Sequence, residues 1–162
     1  MPALISCRLR IVPLTLRLDA AKRILLISGP NAGGKSVCLK TVGLLQYMFQ
    51  CGLLVPAAET SEFPIFRSIF LDIGDEQSLD NDLSTYSSHL LNMKEILEQA
   101  DERSLILIDE FGAGTEPAAG GAIAETLLRR WELCGSYGVI TTHYTNLKFF
   151  ATTSKGVLNG AM

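Results

Sequence analysis

The sequence is poor in the features that mark several protein classes. It has two histidines, one tryptophan and four cysteines among 162 residues. The cysteines, at 7, 38, 51 and 134, show no two-residue spacing, which excludes a metal knuckle or redox motif of that kind. Scattered thiols without an export signal point to a reducing cytoplasm, with all four acting as small buried hydrophobes. Cationic excess is missing too. Fourteen Lys and Arg against 17 Asp and Glu leave a net charge of −3, so the chain by itself lacks a basic surface for phosphate backbones. No apolar run approaches the ~20 residues of a membrane span. Met1–Arg8 carries no charged stretch ahead of an apolar one, so neither membrane nor export is expected. There is no repeat, low-complexity tract or linker, and 48% hydrophobic against 19% charged residues exclude a disordered chain. A single domain over 1–162 is expected.

What is present alternates between short apolar runs and helical periodicity. Leu14, Leu16 and Leu18 alternate with Thr15 and Arg17, as in a half-exposed strand. Ile24–Ile27 is a continuous apolar run ending in Gly29-Pro30, which predicts a strand buried on both faces. Leu39, Val42, Leu45 and Phe49 give a helix over 36–50, stopped at Gly52. Strands are predicted at 68–73, 105–108, 138–142 and 156–161. Helices are predicted over 87–100, with Leu90, Met93, Leu97 and Ala100 on one stripe, and from Pro117 to Gly135. Trp131 and the pair Phe149-Phe150 read as core. Buried strands alternating with helices mean an α/β fold with a largely parallel sheet flanked by helices.

Gly29-Pro30-Asn31-Ala32-Gly33-Gly34-Lys35-Ser36 fits the phosphate-binding pattern G-x-x-x-x-G-K-[ST], after an apolar strand and at a helix start. A triphosphate needs close backbone N–H groups, which glycines permit, and a helix N-terminus adds partial positive charge. Residues Gly29 through Val37 are the expected nucleotide-binding segment, with Lys35 reaching the β- and γ-phosphates of ATP and Ser36 ligating Mg²⁺. Asp109 and Glu110 end the strand Leu105–Ile108. At that edge of a parallel sheet they lie beside the phosphate loop, Asp109 to hold Mg²⁺ and Glu110 to orient and deprotonate the attacking water. His143 closes another apolar strand, where it is either incidental or a donor to a γ-phosphate.

These motifs, with Ser84-Thr85-Tyr86 between them, Asp109-Glu110-Phe111-Gly112-Ala113-Gly114-Thr115 and Thr141-Thr142-His143-Tyr144 after their strands, resemble the ATPase domain of the MutS family, within the ABC-type P-loop ATPases. The resemblance runs from about Val12 to Met162. His89, Ala113 and Gly74–Ser78 depart from the mismatch-repair branch and, with Gly120–Glu125, are similar to the recombination-suppressing MutS-two branch. An ABC transporter subunit would carry Leu-Ser-Gly-Gly-Gln where Ser84-Thr85-Tyr86 stands.

The resemblance implies that two copies pair head to tail as a homodimer. Each ATP then lies between one chain's phosphate loop and the other chain's Ser84, with His143 as a donor to its γ-phosphate, and the 112–115 loop sits at the dimer contact. It implies a first segment, 1–23, that is a shortened, antiparallel strand region. It also implies that double-stranded or branched DNA is bound by domains not present here, so that the chain is a fragment of a larger DNA-acting ATPase. There is no Phe-x-Glu mismatch wedge. Gln77 is either a sensor of Mg²⁺ or water or a surface residue, and His89 either meets an interface or lies on an exposed face. The motor reading stands beside a non-catalytic, nucleotide-gated dimerisation module, and Glu110 favours the motor, because a pure switch needs no general base.

Overall fold

The computed structural model describes residues 12–30, 33–73, 82–112 and 116–161, with the side chains of 82–86 left aside. Five strands and four helices alternate: β1 (Ile24–Ser28), α1 (Lys35–Gln50), β2 (Ser68–Asp72), α2 (Asp82–Gln99), β3 (Ser104–Ile108), α3 (Pro117–Cys134), β4 (Tyr137–Thr142), α4 (Thr145–Thr153) and β5 (Val157–Ala161). The strands form one sheet in the order β2-β3-β4-β1-β5, and every pairing is parallel. This is the predicted α/β architecture.

The continuous apolar runs follow from burial on both faces. In β3, Ile106 and Ile108 join the larger core beneath α2, α3 and α4, while Leu105 and Leu107 join Cys38 and Leu39 of α1 on the other face. Leu26, Leu39, Leu107 and Ile140 are fully buried. At about 1.5–3 kcal/mol for each such side chain, burial outweighs intrinsic strand preference in fixing the central strands. Trp131 belongs to the same core, against Phe111 at 5.5 Å between ring centroids.

Several expectations are corrected. Residues 12–19 form no strand, and no antiparallel segment occurs among the described residues. Leu16 and Leu18 do turn toward the smaller core while Thr15 and Arg17 face out. The alternation therefore marks one-sided burial, but no described strand offers a ladder beside it. Helix α2 starts at Asp82 rather than 87, and its inward stripe is shifted: Met93 and Ile96 are buried, whereas Leu90 and Leu97 are each 36% exposed. Phe150 is core but Phe149 is 70% exposed, because adjacent helical positions face about 100° apart. Cys38 is buried, yet Cys51 and Cys134 are exposed; Cys7 lies outside the described residues. No described helix is long and apolar enough to cross a membrane.

Candidate functional site

Strands β3, β4 and β1 are consecutive neighbours in the sheet. The segments leaving their carboxyl ends therefore meet: the glycine loop after β1, Asp109-Glu110 after β3 and His143-Tyr144 after β4. This is the edge of a parallel sheet at which ligands bind.

The loop turns into α1 through Gly34, whose φ of +83° is left-handed and favours glycine. A Cβ built there meets no described atom within 4 Å, so the space beside Gly34 is open. No side chain caps α1, and its first-turn N–H groups point out of the helix toward that space. Lys35 is buried, its Nζ donating to the carbonyl oxygens of Gly29 at 2.8 Å and Pro30 at 2.9 Å. An ammonium removed from water needs such acceptors. Ser36 follows in the first turn, and Val37 is 69% exposed. Asn31 and Ala32 lie outside the described residues.

The two acidic residues are knitted to β4. Thr141 Oγ1 donates to Asp109 Oδ1 and accepts from the Glu110 backbone N–H at 2.8 Å. Phe111 N donates to Thr141 O at 2.8 Å, and Thr142 Oγ1 to Phe111 O at 3.3 Å. Among the described residues other than glycine, Glu110 alone has positive φ, at 51°. That costs about 1–2 kcal/mol and persists only where surrounding contacts over-determine it. The turn brings Glu110 Oε1 to 3.6 Å from His143 Nε2. Tyr144 closes the arrangement: its hydroxyl donates to Gly112 O at 2.6 Å. Its ring occupies the space beside Gly112, where an added Cβ would lie 2.5 Å from Tyr144 Cε2 and φ is +89°.

Lys35, Ser36, Asp109, Glu110 and His143 thus gather at one edge. Ser84 lies in the first turn of α2, which packs against β2, and its side chain is outside those described. Gln77, Ala113, Gly114 and Thr115 lie outside the described residues. His89 is half-buried rather than on a fully exposed face: its Nδ1 contacts Asp72 Oδ1 at 2.9 Å and Oδ2 at 2.8 Å. Sequence reasoning missed Asp72, Thr141 and Tyr144. The signal for the first two was a polar side chain closing an apolar strand, the same signal that exposed Asp109; nothing local marked Tyr144.

Comparison with known proteins agrees with this geometry. Residues 25–162 match MutS domain V. The chain is 50% identical to Endonuclease MutS2 of Thermomicrobium roseum over 151 residues, covering 93% of this chain and 19% of that protein. It is 51% identical to Endonuclease MutS2 of Pelotomaculum thermopropionicum over 152 residues, 94% of this chain and 19% of that one. The protein of the same name from Agathobacter rectalis is 50% identical over 150 residues, again 93% and 19%. The chain spans about a fifth of the length of these curated relatives.

Proposed function

This chain belongs to the MutS family, matching it as domain V, and on that premise we propose that it binds ATP with Mg²⁺ and hydrolyses it at a site completed by a second copy of the chain. The observation that carries this reading is the convergence of a phosphate loop with Asp109, Glu110 and His143 at one sheet edge, Glu110 and His143 being 3.6 Å apart.

The residues fit both ligands. Open space beside Gly34, an uncapped helix start and a buried ammonium suit a polyphosphate. Lys35 exchanges its carbonyl partners for β- and γ-phosphate oxygens. Ser36 and Asp109 would hold Mg²⁺, the Asp109 carboxylate being aimed by Thr141. When bound, Mg²⁺ supplies neutralisation of the charge that develops on the phosphate oxygens. Glu110 accepts the proton of the attacking water, and His143 donates to the γ-phosphate. Ser84 acts from the partner copy, where hydroxyl, first-turn N–H groups and helix dipole face the γ-phosphate together. In the longer proteins, ATP state would govern contacts with double-stranded or branched DNA through other domains, in DNA repair or the suppression of recombination. Hydrolysis of ATP, rather than the endonuclease activity in the relatives' names, is assigned to this segment.

The test mixes two inactive chains. Lys35→Ala loses nucleotide binding, measured by calorimetry, and Ser84→Ala keeps it but loses turnover. In a head-to-tail heterodimer one site carries both lesions and the other neither, so activity rises above the mean of the components. Heterodimers that form without that rise exclude Ser84 from the partner's site.

A further inference from the structure

Asp72 is a carboxylate that the hydrolytic reading does not use, and it is 4% exposed. It ends β2, and its backbone carbonyl accepts from Asp109 N at 2.9 Å, so it sits on the same sheet edge as the acidic pair. Its side chain is gripped by α2. His89 Nδ1 contacts both carboxylate oxygens, and Asn92 Nδ2 donates to Oδ1 at 3.0 Å. His89 and Asn92 are three residues apart and share a helix face. On the same helix, Met93 and Ile96 enter the apolar core.

That division of labour has a mechanical consequence. Apolar contact is non-directional and tolerates a helix that slides or rotates. Hydrogen bonds converging on one buried carboxylate do not, because they weaken steeply with distance and angle. A buried carboxylate is also costly without its partners, so α2 is penalised for leaving this register. Ser84 lies five residues before His89 on the same helix, about 7.5 Å along its axis. We propose that His89, anchored by Asp72, is a positioning residue that fixes the N-terminal turn of α2, and with it Ser84, toward the nucleotide held by a second copy of the chain. The proposal rests on the two-chain site described above. It explains why a histidine stands at position 89: the ring reaches a sheet-edge carboxylate within the same chain.

The experiment compares His89→Leu, which removes the donor, with His89→Gln, which retains one. His89→Leu leaves affinity for a non-hydrolysable ATP analogue unchanged by calorimetry and lowers turnover about 10–100-fold, while His89→Gln recovers most of the loss. Mixed with Lys35→Ala chains, His89→Leu chains regain activity above the mean of the components, because the intact site then takes its phosphate loop from one chain and its α2 from the other. If His89 acted through Asp109 of its own chain, this mixture would stay at the mean while the Ser84→Ala mixture recovered, and the proposal would be overturned with the two-chain site intact. If neither mixture recovers although heterodimers form, the two-chain site fails and the proposal with it. Unchanged turnover in His89→Leu also overturns it. Should His89→Leu not fold, the pair Asp72→Asn with His89→Leu removes the buried charge together with its partner and is read in the same way.

Discussion

Glu110 combines a role proposed from the sequence with a conformation that was not legible there. An acid ending a buried strand beside a phosphate loop points to general-base work. Its φ of 51° is a product of Thr141, which accepts from the Glu110 N–H while its own carbonyl accepts from Phe111 N. Glu110→Gln keeps the size, the backbone turn and most hydrogen bonding, and removes the base. It is expected to bind ATP normally, melt at the parent temperature and lose turnover by about 10²–10⁴-fold, with the ATP-bound dimer accumulating in sizing experiments. Equal turnover in mutant and parent would overturn the role given to Glu110. Tyr144 shows the opposite limit: its bond to Gly112 joins residues 32 apart, and no spacing rule in one sequence links them.

At the scale of elements, the start of α3 was read better than the start or the face of α2. Pro117 marked the beginning of α3, and Glu116 caps it by accepting from Ala118 N at 3.1 Å and Ala119 N at 2.9 Å. These two backbone bonds, that to Ala119 first, hold the Glu116 carboxyl below its ordinary value of 4.5. A carboxyl whose folded value is lowered stabilises the fold above its ordinary value, and that contribution is lost as pH falls through the lowered one. Glu116→Ala is therefore expected to lower the urea midpoint at pH 7, with the gap to the parent closing as the pH drops below 4.5. A gap that persists unchanged in acid would show that the cap acts without its charge. The stripe of α2 was read in part: Met93 and Ala100 do face the core, but with His89 and Asn92 held on Asp72 it is Ile96, rather than Leu90 or Leu97, that is buried beside Met93.

On the proposed reading, one copy of the molecule supplies half of each site. Lys35, Asp109, Glu110 and His143 share one sheet edge while Ser84 belongs to α2, beside the edge strand β2. Turnover per chain is expected to rise with protein concentration and level off once dimers predominate; a rate per chain that is flat at every dilution would place the whole site in one copy. The sequence by itself determined the alternation of buried strands and helices, the phosphate loop, the acidic pair and the family resemblance. These are local signals: runs of apolar residues, helical spacing, and polar groups at fixed offsets from strand ends. It misread residues 14–18, because alternation reports one-sided burial and a strand also needs a neighbour to pair with. Only the tertiary structure decided the strand order β2-β3-β4-β1-β5, which makes β4 the bridge between the loop of β1 and the acids of β3. Only the tertiary structure paired Thr141 with Asp109, Tyr144 with Gly112, and His89 with Asp72. Each of those contacts joins residues 17 to 32 apart in sequence, and hydrogen bonds at that separation depend on how elements pack, which no local pattern encodes.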